Sequence, residues 1–311
     1  MVWQGRLTGA YQESWDVAAN ARSANYARRV AFRAVCTTGS ESDLTKLRTM
    51  FAQESEILDR NLLAELLQQA PRSTATIHWL CQCLIKIAAY NPYMVDHLQK
   101  SICDFVSEVE ISEIPKIIEN FNFLTDREPA SNFISIDIST HYAWLLKPSA
   151  LVISRLAQLQ DKAIFSQPSL SLLRKLYNTS DIYIFGYTKS DFKINALTDS
   201  WPELKFEFFW YLIENIREKN KLTKRTIHWR DALNWHTSIN FSPADFDYAL
   251  FNVSSRESID DKLVALSLAF DLYVEQRRPA ALRRRLRSAC RISQSLNERL
   301  NDLLRPPQLS S

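Results

Sequence analysis

The stretch "ILDRNLLAELLQQAPRSTATIHWLCQCLIKI", Ile57 to Ile87, decides the fold class. Leu58, Leu62 and Leu66 stand four apart, and Leu63 and Leu67 fill the neighbouring ridge. Residues three and four apart share a face of an α-helix, so these leucines form one apolar stripe on a helix. Pro71 ends it, because the proline ring removes an N–H and clashes with the preceding turn. Ser73 opens the next helix, where its oxygen can accept a free N–H. There Ile77, Leu80, Leu84 and Ile87 are spaced three, four and three apart. Two short helices joined by a tight turn make an antiparallel pair. Such a pair cannot bury its stripe alone, and stacked neighbours complete the core.

The same grammar extends both ways. "ANYARRVAFRAV", starting at Ala24, has good helix propensity, and Thr37, Thr38 and Gly39 then break the run. Ser40 or Ser42 caps a helix through Leu44, Leu47 and Phe51. Beyond Asn91 and Pro92, Val95, Leu98, Ile102 and Phe105 repeat the 3-4-3 spacing, and a sixth helix runs from Ile111 to Leu124. Helices recur at intervals of roughly 17 to 20 residues and pairs every 35 to 40 or so, within the range of helical-repeat arrays.

The middle is less regular. "NFISIDIST" alternates Ile134, Ile136 and Ile138 with polar residues, and "DIYIFGY" from Asp181 is β-branched and aromatic. Each reads as a short strand or as an extended connector. Between them helices are expected from His141 to Leu159, kinked or split at Pro148, and from Pro168 to Tyr177. Helical patterning returns at Ser200, with Pro202 near a first helical position and Leu204, Phe208, Tyr211 and Leu212 on one face. "SPADFDYAL" opens a short helix. Ser254, Ser255 or Ser258 caps a longer one, whose Ile259, Leu263, Leu266, Phe270 and Tyr273 are spaced 4, 3, 4, 3.

The expectation is a mainly α fold: stacked antiparallel helix pairs in a HEAT-like α-solenoid, with a small extended or β insert around 131–195. The organisation expected is helical repeats over 1–130, an irregular middle segment over 131–199 and a C-terminal helical region over 200–311.

Composition excludes several function classes. The chain has four glycines in 311 residues: Gly5, Gly9, Gly39 and Gly186. None stands in a GxGxxG, GxxxxGK[ST] or GxSxG spacing, so no dinucleotide fingerprint, Walker A loop or nucleophile elbow is written. Five cysteines, Cys36, Cys81, Cys83, Cys103 and Cys290, form no CxxC and read as buried apolar residues or free thiols of a reducing cytoplasm. No signal peptide or transmembrane run is visible, so no membrane partner is expected. His78, His97, His141, His228 and His236 never pair at helical spacing, and no metal site or cofactor is expected. His228 and His236 flank Asp231 and could share a face, but packing explains them as well. Asp260 and Asp261 sit at a helix start, where carboxylates complement the dipole.

Charge is concentrated in "RRPAALRRRLRSACR", Arg277 to Arg291, with seven arginines and no acid, in a chain of net charge only +3. Leu282, Leu286, Ala289 and Leu296 trace an apolar stripe, and Arg283, Arg287 and Arg291 a basic one, flanked by Arg284 and Arg285. This is an amphipathic helix whose basic side faces water or an internal partner, or else takes an acidic partner through Arg283, Arg284, Arg287 and Arg291. Phosphates suit such a row, although single-strand binding also needs exposed aromatics, which the segment lacks. Trp201, Trp210, Trp229 and Trp235, with Phe206, Phe208, Phe209 and Tyr211, crowd 200–236. They pack between helices or line an interface.

"WPELKFEFFWYLIENIR", "IHWRDALNWH", "FSPADFDYAL" and "DDKLVALSLAFDLYVEQRRPAALRRRLRSAC" resemble the C-terminal half of large bacterial STAND-type (NACHT-like) NTPases across Trp201 to Pro307. "YARRVAFRAV" followed by "GSESDLTKLRTMF" resembles a repeat unit of the same arrays. The resemblance implies a HEAT-like sensor or scaffold module, with antiviral defence as its setting. Its partner would be a protein ligand or the nucleotide-switch core of the same system. That core needs a Walker A loop, which this chain lacks, so the family's ATPase activity does not carry over. The expected function is non-catalytic binding; the alternative is a nucleic-acid-associated helical protein using 277–291.

Overall fold

The computed structural model describes residues 10–55, 57–91, 97–126, 138–179, 194–220, 228–233 and 239–305. They divide into two compact units, Met1–Lys193 and Ile194–Ser311. Both are helical. Leu58 pairs with Ile87 in an isolated parallel β-bridge.

The first unit holds α1 (Tyr11–Ala19), α2 (Asn25–Thr38), α3 (Glu41–Gln53), α4 (Arg60–Gln68), α5 (Thr74–Ile85), α6 (Leu98–Glu108), α7 (Ile114–Asp126), α8 (Leu146–Gln158) and α9 (Gln167–Thr179). Each helix packs on the one two places ahead: α2 on α4, α4 on α6 and α6 on α8 in one layer, and α1, α3, α5, α7 and α9 likewise in the other. Short connections reverse the chain between layers, so successive helices form pairs that stack side by side. This is the all-α helical-repeat arrangement that the apolar spacing predicts. Leu62, Leu63, Leu66 and Leu67 of α4 and Ile77, Leu80 and Leu84 of α5 are all buried.

Local chemistry sets the helix ends. Ser40 Oγ accepts the Asp43 N–H while the Asp43 carboxylate accepts the Ser40 N–H, a capping box for α3. Asp59 accepts from Asn61 and Leu62 at α4, and Ser73 from Thr76 at α5. Leu58 belongs to the leucine series but not to the helix. With Asp59 as cap, Leu58 lies outside, donating to Lys86 O (2.9 Å) and accepting from Ala88 (3.0 Å). The break expected at Pro148 comes earlier, as a 3-10 turn at Ala143–Leu145. Pro148 sits in the first turn of α8, where its missing N–H has no intrahelical partner to lose.

A cation from a later helix repeatedly closes the carbonyl end of an earlier one, where the last four C=O groups lack partners. Lys86, at the end of α5, donates to Ala52 O and Glu54 O at the end of α3. Arg155 of α8 donates to Val106 O and Val109 O at the end of α6 (2.5 and 2.7 Å). Lys175 of α9 donates to Asn122 O in the last turns of α7 (3.1 Å). Arg28 of α2 reaches Ala18 O of α1 and also pairs with Glu54. These bonds tie helix to helix at the positions where positive charge also meets the negative end of the dipole. The helices of the middle segment, α8 and α9, pack on α6 and α7 and belong to this unit. Of "NFISIDIST" only Ile138, Ser139 and Thr140 are described: Ile138 and Ser139 are buried, and the Ser139 N–H donates to Thr125 O at 2.8 Å. The rest of it, and "DIYIFGY" at 181–187, lie outside the described residues.

The second unit holds α10 (Ile194–Ser200), α11 (Pro202–Asn220), α12 (Trp229–Ala232), α13 (Phe246–Ser255), α14 (Ile259–Glu275), α15 (Ala280–Cys290) and α16 (Gln294–Leu304). The two-ahead packing recurs: α12 on α14, α13 on α15 and α14 on α16. Its core is aromatic. The Phe241 ring lies 5.5 Å from Phe206 and 5.4 Å from both Phe209 and Trp229. Beside it runs a buried ion pair, Lys205 Nζ to Asp245 Oδ2 at 2.9 Å, each side chain only 4% exposed. Asp245 also accepts from the Ser242 N–H, so its burial is compensated by more than one bond.

Candidate functional site

The segment with most charge to offer a partner is α15 and the turn before it. Leu286 and Cys290 are buried and turn the helix inward onto the unit. Arg283, Arg284, Arg285, Arg287 and Arg291 are exposed, as are Arg277 and Arg278 in the turn. The arginine row therefore faces water. Arg285 pairs with Asp247 of α13 at 2.7 Å, and its guanidinium stands 5.4 Å from the Phe246 ring centroid. The other six arginines have no carboxylate partner among the described residues.

The turn carries a backbone cost. Arg277 and Arg278 both have positive φ, 61° and 56°, a region in which side-chain-bearing residues crowd their own carbonyl oxygen. They are held there because the Arg277 N–H bonds Val274 O and the Arg278 N–H bonds Tyr273 O, each at 3.0 Å, closing the end of α14. Glycine is the usual occupant of such a position.

Beside α15, α13 adds an outer face of Asp247, Tyr248 and Phe251. Phe251 is 65% exposed, the highest value for a large apolar side chain described in this unit. Spacing alone does not reveal this, because a phenylalanine in "FDYALFNV" reads as core. On α13, Phe251 stands one turn on from Asp247, the residue bridged to Arg285 of α15.

The tryptophans are placed differently. Trp201, Trp210 and Trp229 are buried in the second unit. Trp210 donates to Asn252 and is covered by the Arg256 guanidinium 4.0 Å from its ring. Trp229 donates to Asp271 of α14 at 2.9 Å. Trp235 and His236 lie outside the described residues. Trp210 thus holds α11 to α13 and Trp229 holds α12 to α14; Phe251 is the most exposed aromatic described in this unit.

His228 meets Asp271 at 3.5 Å. Burial pushes the Asp271 carboxyl up, but hydrogen bonds from His228 and Trp229, with the charges of His228 and Arg230, outweigh it and hold it below the ordinary carboxylate value. Ser267, one turn from Asp271, accepts from the Trp229 N–H and donates to Val264 O. Its hydroxyl is committed to the backbone, so the trio acts as a clamp on α12. Among the described residues no cluster of three or more His, Cys, Asp or Glu is placed to hold a metal ion. No described helix is long and apolar enough to cross a membrane.

No family model, no curated protein and no solved structure matches this chain.

Proposed function

We propose that the chain is a non-catalytic helical-repeat module that binds a macromolecular partner, acting as sensor or scaffold in the manner of STAND-type arrays. One observation carries this reading: buried charges are spent on holding helices together, while a row of arginines on α15 is presented to solvent. Arg28, Lys175, Lys205 and Asp245 are each buried and each bonded to a neighbouring element. The α15 arginines lie outside, where they serve recognition between surfaces. The partner is a protein, the nucleotide-switch core of the same system in the first instance, and antiviral defence is the setting the sequence resemblance supplies.

The test is co-purification of the tagged full chain with the products of its neighbouring genes, followed by an ATPase assay on each component. A complex whose ATP turnover resides in the partner is expected. Turnover by the purified chain alone, or the absence of any complex, would overturn the reading.

The exposed arginines favour one second reading, a nucleic-acid-associated helical protein. It requires duplex binding that falls steeply with salt and drops when Arg283, Arg287 and Arg291 become glutamine.

A further inference from the structure

We infer that the joint outer face of α13 and α15 docks an acidic, partly apolar segment of the partner protein, with Phe251 as its apolar contact and Arg284, Arg287 and Arg291 as its carboxylate contacts. The inference rests on the binding-module reading and supplies its partner chemistry.

Charge complementarity selects the occupant. From Arg277 to Arg291 every charged residue is arginine. Arginine is the side chain whose planar fork matches a carboxylate through two parallel hydrogen bonds, and it is held more cheaply at interfaces than lysine because its cation is weakly hydrated. Arg287 and Arg291 are one turn apart, and Arg284 precedes Arg287 by three residues, so the three form a row along one helix face. An acidic helix or extended segment with carboxylates at matching intervals can meet them one for one.

Two features favour a protein over a phosphate polymer. The first is Phe251, which offers nonpolar area that a sugar–phosphate backbone cannot use, whereas arginine and large aromatics together characterise the centres of protein interfaces. The second is Asp247, whose side chain is 70% exposed on the same face. A uniformly negative duplex crossing from α15 to α13 would meet that carboxylate; a protein segment can place a neutral or basic residue there. The bridge from Asp247 to Arg285 also pins one arginine and leaves its neighbours extended to solvent.

The turn is the independent observation. Two successive exposed arginines occupy a conformation that glycine or asparagine would adopt with less strain. Residues held in sparsely populated backbone conformations cluster at binding and switch sites, and both side chains here are exposed. Arg277 and Arg278 extend the basic row beyond the start of α15.

The experiment is fluorescence anisotropy with the full chain. The probe is a labelled helical peptide with glutamates four apart beside one row of leucines. Its comparators are the same peptide with lysine in place of glutamate, and a short DNA duplex. The acidic peptide is expected to bind tightest. Arg284→Gln/Arg287→Gln/Arg291→Gln is expected to weaken it about tenfold at low salt, and Phe251→Ser by roughly threefold with the salt dependence retained. Arg277→Gly/Arg278→Gly should weaken binding while leaving the chain at least as stable, which a merely structural role would not produce.

Tighter binding of the duplex than of the acidic peptide, unaffected by Phe251→Ser, overturns the inference in favour of a phosphate-binding face. Equal binding of the acidic and lysine peptides, or none, overturns it in favour of a plain solvated face. If a co-purified partner binds all variants like the wild type, this surface is wrong and the module reading stands. If the peptide behaves as expected and no partner co-purifies, the surface stands and the module reading fails.

Discussion

Lys175 Nζ lies 2.7 Å from Asp126 Oδ1, and the ammonium that makes this bond is 2% exposed while the carboxylate is about half exposed. The same nitrogen bonds Asn122 O, Asn122 Oδ1 and Thr125 Oγ1. A buried lysine is tolerable only when its donors are used, and here they close the end of α7. Lys175→Met removes them and leaves buried acceptors unpaired, so a loss of about 2–3 kcal/mol in urea unfolding is expected. Burial pushes the Lys175 pKa below 10.5, although the hydrogen bond and charge of Asp126 work the other way. The unfolded chain keeps its proton up to 10.5, so between the depressed folded value and 10.5 the unfolded state binds more protons. Wild-type stability relative to Lys175→Met should therefore rise with pH through that window. A gap that stays flat would show that the folded lysine titrates like an exposed one.

What the sequence disclosed and what it hid follow from range. Stripes such as Ile77–Leu80–Leu84 and caps such as Ser40 and Ser73 are local, set by residues within a turn or two, and they are where the spacing placed them. Lys175 on Asn122 or Arg155 on Val106 joins residues roughly fifty positions apart, which no periodicity records. His228 illustrates the same limit: proximity suggests Asp231, but its carboxylate is Asp271 of α14. In the candidate site, the outward arginines were legible because a helix carrying Leu286 and Cys290 inward must carry Arg284, Arg287 and Arg291 outward. Phe251 was not, because hydrophobicity predicts burial and its exposure depends on which helices flank α13.

The Lys205–Asp245 pair tests how a buried ion pair contributes. Removing Asp245 leaves the buried Lys205 with only the half-exposed Asp199 carboxylate, at 3.2 Å. Asp245→Asn should cost about 3–5 kcal/mol by chemical denaturation. Replacing both in Lys205→Met/Asp245→Leu should recover much of that loss, because the desolvation penalty disappears with the charges. A double variant no more stable than the single one would mean that the Ser242 cap carries the effect, since Asp245 also accepts its N–H at 2.7 Å.

The thiols should be slow to react. Burial pushes the Cys36 and Cys81 pKa values up to about 12 and that of Cys290 to about 11. The thiolate is the nucleophile, so at pH 8 labelling by a disulfide reagent should be far slower in the folded chain than in urea, and complete only on unfolding. These pKa values are raised on folding, so their stabilising contribution is complete below about 9, the ordinary thiol value, and is lost as pH climbs toward 11 to 12. Rapid stoichiometric labelling under native conditions would contradict the burial.

Gly39 is required by space. Its φ of −79° suits any residue, yet an added Cβ would stand 2.7 Å from Val35 O and 3.2 Å from the Tyr11 hydroxyl. The neighbour at 2.7 Å is backbone and cannot rotate away. Gly39→Ala should lower stability by about 1–3 kcal/mol despite stiffening the unfolded chain. Thermal unfolding reads this directly, and an unchanged or higher Tm would mean that the end of α2 shifts without cost.

Arg277 and Arg278 give the converse case, a site where glycine is absent and should help. At φ of 61° and 56° each Cβ crowds the following carbonyl. The strain is about 1 kcal/mol per residue, from which the greater freedom that glycine gives the unfolded chain must be subtracted. Arg278 N bonds Tyr273 O, and glycine keeps that bond because it is made by the backbone. Arg277→Gly/Arg278→Gly should therefore match or exceed the wild type in stability, by up to about 1 kcal/mol in urea unfolding. Arg277→Val/Arg278→Val should lose at least as much, since branching at Cβ worsens the same clash. If the glycine variant were clearly less stable than the wild type, the arginine side chains would be stabilising the turn itself, and the argument that strain is kept for a partner would fall with that measurement.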